Sequence, residues 1–386
     1  MLLSINKMYS PEIGGVEVVA KELAELGLDY YGKSEVITFN HADRTIDEMI
    51  NDVSVTRLRS LKLGRSVRLS FGYKKKLLER SEEASVILYH FPSFTPELFL
   101  PQFNHKKTPQ VCLYHADITG RGLLGKLYNI MMVKRFLKQM DIVVATSPNI
   151  TKSSPALRRM KHVEIIPLGV DTDHFHYQGN NMRGQLVEEL GRQSVDTRVV
   201  LFVGRIARYK GVRELIDAVS KLPENYCLIV VSGDNTDEIE QYAALKNLSH
   251  RLLIHDKVSY DDLPKYYSAA DVLCMPSIDK GEAFGLVAIE AMACGVPVIT
   301  TELGTGSSYH NLDGITGRVI QPKSVSQLSE SITEICENKE KFSSEIIRRR
   351  AMDFSMEQFY DGWERIFRMA DSMMNRPDAK PNLTKP

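Results

Sequence analysis

Two short apolar runs, Val272-Leu-Cys-Met-Pro276 and Val296-Pro-Val-Ile-Thr-Thr301, flank the helical pattern Leu286-Val-Ala-Ile-Glu-Ala-Met-Ala-Cys294. Runs of β-branched and aliphatic residues bounded by turn residues are typical of buried strands. A strand, a helix and a second strand in this order predict a right-handed βαβ unit with two parallel strands. This stretch therefore favours the α/β fold class.

The same alternation extends over most of the chain. The predicted strands of the first half are Leu2–Ile5, Glu35–Phe39, Val86–His90, Gln110–His115, Ile142–Thr146 and Val163–Pro167. Those of the second half also include Arg198–Val203, Cys227–Ser232 and Leu252–Ile254. The predicted helices include Val16–Leu28, Leu123–Met140, Val212–Lys221 and Asp262–Ala269. The pattern weakens over 168–181 and resumes at Arg198, which predicts two doubly wound domains with a hinge near 170–195.

We expect four parts. An N-terminal Rossmann-like domain covers 1–170, and a C-terminal Rossmann-like domain covers 171–355. A last helix, 356–375, packs back toward the N-terminal domain. The tail 376–386 has three prolines and little apolar content, so we expect it to be disordered. Ligands of doubly wound sheets bind outside the carboxyl ends of the strands, so we expect two sheets that face each other across one cleft.

Composition indicates an ordinary globular protein, with 43% hydrophobic and 25% charged residues among 386. The first six residues are typical of a buried strand rather than of a secretory leader, because they lack a basic start and a small-residue cleavage site. The five cysteines form no CxxC pair, and at least three lie in apolar runs. We therefore expect reduced core cysteines in a cytoplasmic protein.

Positive charge is concentrated in the N-terminal half, although the net charge is zero. The run Arg57–Arg80 holds nine basic side chains and one acid, Glu79. A second run, Gly120–Lys138, adds five basic residues interleaved with leucine, isoleucine and methionine. One such run is usually a solvated helix face, but the two together favour an anionic membrane surface as a partner. Nucleic acid is not expected, since aromatic residues are sparse there and no recognition motif accompanies the charge.

A glycine pair, Gly14-Gly15, lies between the first predicted strand and the first predicted helix. Glycine lets a backbone approach a ligand closely, and a helix start offers free amides and a positive dipole to a phosphate. A tight turn explains the pair equally well. The sequence is not GxGxxG, so it does not support nicotinamide or flavin binding.

Two cations, Arg205 and Lys210, follow the predicted strand Arg198–Val203. Side chains at the carboxyl end of such a strand point into the ligand-binding crevice. A guanidinium and an ammonium there could hold both phosphates of a nucleoside diphosphate and stabilise it as it leaves. A surface loop with ordinary cations is the alternative.

The segment Glu282-Ala283-Phe284-Gly285-Leu286 opens a helix that carries a second acid, Glu290. The amide end of that helix can receive a diphosphate. Glu290 lies about 6 Å along the axis, at 1.5 Å per residue. Two carboxylates around one phosphate-binding helix start suit a ligand with hydroxyl groups on both sides of its diphosphate. A helix cap and a surface acid are the alternative, although an acid in an otherwise apolar run needs a partner or a role.

These motifs together resemble the retaining GT-B glycosyltransferases, in the form of family 4. The matching motifs, in the family's order, are the Gly14-Gly15 loop, Ile165-Ile-Pro-Leu-Gly-Val-Asp171 with Phe175, the pair Arg205 and Lys210, and the glutamates Glu282 and Glu290. The resemblance covers about residues 2–365. Two further stretches, His115-Ala-Asp117-Ile and Glu302-Leu-Gly-Thr-Gly306-Ser-Ser-Tyr309, resemble a bacterial subgroup that builds O-antigen and similar surface polysaccharides.

The resemblance implies an acceptor-side N-terminal domain and a donor-binding C-terminal domain. It implies transfer of a hexose, with retention of anomeric configuration, from a nucleotide-diphosphate sugar to a hydroxyl of a lipid-linked or saccharide acceptor. GDP-mannose is the favoured donor and a UDP-sugar the alternative. No metal and no cofactor is expected. We expect an enzyme in the cytoplasm or on the inner face of the cell membrane.

The resemblance also implies a role for each candidate residue. The implied catalytic residues are His115, Arg205, Lys210 and Glu282. The implied substrate-binding residues are Gly14, Gly15, Asp117, Ala283, Phe284, Gly285, Leu286 and Glu290. Glu282 would hold hydroxyls of the transferred sugar and Glu290 the ribose, with Arg205, Lys210 and the helix start on the diphosphate. His115 would lie over the sugar, with Asp117 beside the acceptor.

Three alternatives stay open. A sugar-nucleotide epimerase has the same fold and would turn over donor without acceptor. A phosphorylase would need a cofactor-binding lysine, which nothing in the sequence marks. A non-catalytic sugar-nucleotide-binding protein is the third.

Overall fold

The computed structural model describes residues 1–12, 14–40, 44–63, 67–100, 108–118, 128–192 and 196–374. The chain forms two compact units. The first unit combines Met1–Thr146, Ser154–Ile166 and the chain from Tyr360 onward, and the second combines Ser147–Ser153 and Pro167–Phe359. The predicted tail, Arg65 and the residues 120–127 of the second basic run lie outside the described residues.

The first unit is built on an eight-stranded sheet with the order β10-β9-β8-β7-β1-β2-β4-β3. Its strands are β1 (Leu2–Ile5), β2 (Ser34–Asn40), β3 (Ile46–Ile50), β4 (Val53–Arg59), β7 (Val86–Phe91), β8 (Gln110–Tyr114), β9 (Ile142–Ala145) and β10 (Glu164–Ile165). All neighbours are parallel except β3 and β4. Two short strands, β5 (Leu61–Lys62) and β6 (Arg68–Leu69), form a separate antiparallel hairpin. Strands β1, β7 and β8 are buried throughout, as central strands of a parallel sheet require.

Helices cover this sheet. They are Gly15–Tyr31, Tyr73–Ser81, Thr95–Phe99, Lys134–Leu137 and most of Met356–Met374, and a π-helix covers Asn129–Val133. The first of these helices ends at Gly32, which adopts a left-handed conformation (φ 70°) and donates its amide to the carbonyl of Leu28. This is the usual way in which a glycine ends a helix.

The second unit is built on a six-stranded parallel sheet with the order β13-β12-β11-β14-β15-β16. Its strands are β11 (Arg198–Val203), β12 (Tyr226–Val231), β13 (Leu252–His255), β14 (Val272–Met275), β15 (Val298–Thr301) and β16 (Gly317–Ile320). Counted within the unit, the order is 3-2-1-4-5-6, which is that of the Rossmann fold. The expected α/β architecture with two Rossmann-like sheets is therefore confirmed.

Helices cover the second sheet as well. They are Pro148–Ser153, Asn181–Glu189, Val212–Val219, Asp237–Leu245, Leu263–Ala269, Leu286–Ala293, Val325–Glu337 and Ser344–Met352. In Val212–Val219 the buried side chains recur at helical spacing, as in Val212, Leu215, Ile216 and Val219. That apolar stripe packs on the sheet and leaves the charged face outside.

The units do not follow the expected boundary at residue 170. The helix Pro148–Ser153 groups with the second unit because Asn149 donates to the Ser308 hydroxyl at 3.1 Å and Ser153 donates to the carbonyl of Gly304. The chain from Pro167 onward also groups with the second unit, where Val170 bridges to Ser355.

The last helix changes unit along its length. From Tyr360 onward it groups with the first unit. There the Tyr360 hydroxyl donates to Glu22 at 2.6 Å, and Tyr30 and Tyr31 donate to the two carboxylate oxygens of Asp371 at 3.2 and 3.3 Å. These bonds connect the first helix, Gly15–Tyr31, with the last helix, Met356–Met374.

All five cysteines are buried free thiols: Cys112, Cys227, Cys274, Cys294 and Cys336. Burial raises the pKa of each thiol above its ordinary value. Their burial confirms that they are core residues, and their reduced state stays a prediction. No described helix combines the length and the apolar character needed to cross a bilayer.

Candidate functional site

The strand order of the second unit reverses between β11 and β14, which are neighbours although β12 and β13 come between them in sequence. At such a switch point, the loops after the two strands diverge and border a ligand-binding crevice. Arg205 and Lys210 lie on the loop after β11, and Glu282 and Gly285 lie on the loop after β14. The sheet topology therefore places four predicted site residues on two adjacent loops.

Gly211 lets these two loops touch. It adopts a left-handed conformation (φ 74°), and a Cβ atom there would lie 2.1 Å from the carbonyl oxygen of Pro276. Beside it, the amide of Ile278 donates to the carbonyl of Tyr209 at 2.7 Å. Any larger residue at 211 would separate the loops, so this glycine is needed for the close approach.

The close approach brings Lys210 and Glu282 into an ion pair. Lys210 Nζ lies 2.7 Å from Glu282 Oε2, and the two side chains are only 14% and 8% exposed. The Ser277 hydroxyl donates to the same oxygen at 3.0 Å. A buried carboxylate needs such charged and hydrogen-bonded partners. Both bonds fall on Oε2, which leaves Oε1 as the atom available for another donor.

Arg205 is exposed and lies at the start of the loop that follows β11. The loop is anchored on the neighbouring strand β12, because the amide of Gly204 donates to the carbonyl of Val231 at 3.0 Å. Asp234 Oδ2 also accepts the amide of Ile206 at 2.8 Å. The guanidinium is therefore carried by a fixed backbone beside the switch point.

The helix Leu286–Ala293, which we call the Gly285 helix, begins with Gly285 in a left-handed conformation (φ 85°). A Cβ atom at that position would lie 2.4 Å from Met275 Sδ, so the helix start packs directly on the end of β14. Phe284 is buried, and Leu286 is half-buried. The first amides of a helix have no acceptor within the helix, so this end can bind an anion.

Glu290 lies one turn into the Gly285 helix and has a different environment from Glu282. The Tyr267 hydroxyl donates to Glu290 Oε2 at 2.5 Å. Burial raises the pKa of Glu290 to about 7, although the bond from Tyr267 lowers it. The Tyr267 ring also packs on Phe175, with 5.9 Å between ring centroids. This contact connects Glu290 with the predicted motif that ends at Phe175.

In the first unit, His115 follows β8 and is buried. Its Nε2 lies 3.1 Å from Nδ1 of His90, which is on β7, and the two rings are stacked with 5.3 Å between centroids. Burial lowers the pKa of His115 to about 3 and the pKa of His90 well below its ordinary value, the latter also through His115. Both imidazoles are therefore neutral at physiological pH.

Asp117 is held by two hydroxyls. Tyr114 and Ser154 each donate to Asp117 Oδ1 at 2.6 Å.

The other predicted feature of this unit, the glycine pair, caps the first helix. Gly14 has extended backbone (φ −174°), which any residue adopts, and a Cβ atom on Gly15 would meet nothing within 4 Å. The backbone conformation therefore does not require the pair, and its role in binding stays a prediction.

The structure thus gathers Lys210, Glu282 and the start of the Gly285 helix in one unit and places His115 and Asp117 in the other. Sequence reasoning missed Ser277 and Tyr267, which hold the two glutamates, and His90, which holds His115. Among the described residues, no three side chains of the metal-binding types come together.

Comparison with known proteins identifies relatives of both halves of the chain. Residues 13–174 match the family described as Glycosyltransferase Family 4, and residues 188–351 match Glycosyl transferases group 1. The D-rhamnosyltransferase WbpZ of Pseudomonas aeruginosa is 32% identical over 328 residues, which cover 83% of this chain and 82% of that protein. The O-antigen chain mannosyltransferase C of Escherichia coli is 28% identical over 375 residues, covering 95% and 97%.

The fold is also that of a solved structure. HepE of Anabaena, solved in complex with UDP, superposes with a TM-score of 0.73 at 19% identity and covers 95% of this chain and 99% of its own. Two family matches and a relative that spans most of the chain lead to one assignment. This protein belongs to the GT-B glycosyltransferases of the family 4 type.

Proposed function

We propose that this protein is a retaining hexosyltransferase, which moves a sugar from a nucleotide-diphosphate donor to a hydroxyl of a lipid-linked or saccharide acceptor in bacterial surface polysaccharide synthesis. The observation that carries the proposal is the buried pair of Lys210 and Glu282 beside the start of the Gly285 helix. A cation, a carboxylate and a set of helix-start amides thus lie on two adjacent loops of the second unit. A sugar diphosphate needs these three groups.

The donor site follows from these groups. The helix start, Lys210 and Arg205 bind the diphosphate and stabilise the charge that develops on it as it leaves. Because Glu282 Oε2 is occupied by Lys210 and Ser277, we assign Oε1 to a hydroxyl of the transferred sugar. Glu290 lies deeper and accepts from the ribose. Ala283, Phe284 and Leu286 contribute the backbone around the diphosphate.

The acceptor side is assigned to the first unit. His115 is neutral, so it acts there as a hydrogen-bonding group on the sugar rather than as a general acid. Asp117, oriented by Tyr114 and Ser154, receives the acceptor hydroxyl. Gly14 and Gly15, at the start of the first helix, are assigned to substrate binding.

The names of the relatives support the choice of substrates. One is a rhamnosyltransferase and one an O-antigen mannosyltransferase, which favours GDP-mannose as donor and a surface-polysaccharide acceptor. The complex of HepE with UDP keeps a UDP-sugar as the alternative. Retention, metal independence and the absence of a cofactor are parts of the same proposal.

Thermal-shift measurements with GDP-mannose and common UDP-sugars test the donor. Turnover with a lipid-linked or saccharide acceptor, followed by NMR of the new anomeric centre, tests the reaction. Donor consumption without acceptor that yields an epimerised sugar nucleotide would indicate the epimerase instead. A shift without any turnover would indicate a binding protein. No shift with any sugar nucleotide would remove the basis of the proposal.

A membrane surface is part of the proposal as a partner, although the structure reduces the number of cations that can take part. Arg57 pairs with Glu48, and Arg80 pairs with Glu35. Among the described residues of this run, the exposed cations are Arg59, Lys62, Lys74 and Lys75, of which Lys75 pairs with Glu79.

Apolar side chains of the hairpin and of the residues next to it are also exposed. Leu61, Leu63 and Phe71 are 50%, 48% and 72% exposed. Apolar tips among cations suit an anionic lipid surface, where each basic residue contributes about 1 kcal/mol. The protein should therefore sediment with anionic vesicles in a salt-sensitive way, and Phe71→Ser should weaken this binding. Equal sedimentation with neutral and anionic vesicles would exclude the surface as a partner.

A further inference from the structure

The segment between β15 and β16 contains Thr305, Gly306 and His310, to which the proposed reaction assigns no role. We call Thr305–His310 the clasp. Thr305, Gly306 and His310 are buried, and the segment begins with a short 3₁₀ turn at Gly306–Ser308. The Thr305 hydroxyl also accepts the amide of Ser307 at 3.4 Å, which fixes the side chain at the start of this turn.

The clasp binds three consecutive carbonyl groups of the loop that carries Glu282. The Thr305 hydroxyl donates to the carbonyl of Glu282 at 2.7 Å. The Gly306 amide donates to the carbonyl of Ala283 at 2.8 Å. His310 Nε2 lies 3.0 Å from the carbonyl of Phe284. Three acceptors in a row are thus satisfied by one short segment.

The chemistry of the clasp fits this arrangement closely. A carbonyl oxygen only accepts, so His310 must carry its proton on Nε2. Burial lowers the pKa of His310 to about 4, so the ring is neutral and the proton on Nε2 is the one it has. A Cβ atom at Gly306 would lie 2.3 Å from the Phe284 ring, so glycine is needed for the segment to approach.

The amide N–H groups of the same peptide groups can bind the donor diphosphate. The carbonyls of these three peptide groups accept from the clasp. Their amides, those of Ala283, Phe284 and Gly285, donate to no acceptor in the described part of the chain. We propose that Thr305 and His310 are positioning residues that orient the peptide groups of 282–285 so that these amides face the donor diphosphate. This inference rests on the proposed function, because it concerns the same donor site.

Thr305→Val tests the proposal, since valine keeps the shape of threonine and removes the hydroxyl. The carbonyl of Glu282 then loses its partner and the peptide can rotate. We expect kcat/KM to fall about tenfold or more, a size typical for losing one buried hydrogen bond. Thr305→Ser keeps the hydroxyl and should restore kcat/KM to within about threefold of the original protein. If Thr305 contributed to stability alone, Thr305→Val would have a lower melting temperature and an unchanged kcat/KM.

A second pair of variants repeats the test at another carbonyl. His310→Gln keeps an N–H donor and His310→Phe removes it, so only the phenylalanine variant should lose activity. If Thr305→Val is too unstable to measure, this pair decides. Unchanged kcat/KM in both Thr305→Val and His310→Phe, with both proteins folded, would overturn the proposal.

Amide hydrogen exchange separates this inference from the proposed function, because it needs no substrate. In the full-length protein, the peptide that covers 304–310 should exchange faster in Thr305→Val and His310→Phe than in Thr305→Ser and His310→Gln, because the Gly306 amide donates to the carbonyl of Ala283 and is released when the loop moves away. Faster exchange without turnover by any variant, the original included, would mean that the clasp holds the loop and the proposed reaction is wrong. Identical exchange in all variants would mean that the clasp does not hold it.

Discussion

Replacing Lys210 by methionine tests the central contact of the donor site. Methionine keeps the length of the side chain and removes the ammonium, so the Glu282 carboxylate keeps the hydrogen bond from the Ser277 hydroxyl and loses its counter-charge. Removing one member of a buried ion pair costs about 3–5 kcal/mol. The two side chains retain 14% and 8% exposure, so water screens the remaining charge a little and we expect the low end, about 3 kcal/mol.

The same change should lower kcat/KM by 10²-fold or more, because a charge contact to the leaving diphosphate is lost. A second substitution separates the two effects. Lys210→Met combined with Glu282→Gln removes both charges, so it should recover most of the lost stability and none of the lost activity. Arg208→Met is the matched control. Arg208 lies on the same loop, and its side chain is exposed although it pairs with Glu214. Its effect should be within about 1 kcal/mol.

Chemical denaturation of the four proteins measures the free energies of unfolding, and initial rates measure kcat/KM. The reasoning fails if Lys210→Met is as stable as the original protein, or if the double variant is no more stable than the single one. A normal kcat/KM in Lys210→Met would refute the assignment of this cation to the diphosphate.

Four further predictions concern the remaining groups. Arg205→Ala should lower kcat/KM by about 10²-fold, and near-normal turnover would refute its role. Glu282→Gln should mainly depress kcat, whereas Glu290→Gln should mainly raise the donor KM, and the opposite split would mean that the two roles are exchanged. Burial raises the pKa of Glu290 from 4.5 to about 7, so between these values the folded protein keeps a proton that the unfolded chain has lost. Stability should therefore fall as pH rises through this window, by up to about 3 kcal/mol, and denaturation at pH 5.5 and 8 should show a smaller fall in Glu290→Gln. Activity should survive EDTA, and a loss restored only by Mg²⁺ or Mn²⁺ would contradict the site as proposed.

The buried strands could be predicted from the sequence because they are near-continuous apolar runs. Leu2–Ile5 and Arg198–Val203 were predicted with the bounds that the structure has. The strand Ile46–Ile50 was not predicted, because it is an antiparallel edge strand whose three central residues are exposed. Gly317–Ile320 was also missed, since its four residues include a glycine and an arginine and make no apolar run.

The candidate site was predictable as a set of residues and not as a set of contacts. The acid at 290 in an apolar run indicated a buried partner, but the run gives no sign that the partner is Tyr267 on another helix. Lys210 and Glu282 are 72 residues apart, and only the order of the strands makes them neighbours. The sequence indicated that both matter for the diphosphate and the sugar, and could not indicate that they pair with each other.

The burial of all five thiols offers a probe of opening in each unit separately. Thiolates, not thiols, react with alkylating reagents, and burial keeps these groups both shielded and protonated. Iodoacetamide should therefore label the native protein only when a region opens. Cys112 belongs to the first unit and the other four cysteines belong to the second. Peptide-resolved alkylation rates would then give an opening free energy for each unit. A single melting temperature of the two-unit chain would not separate these two values.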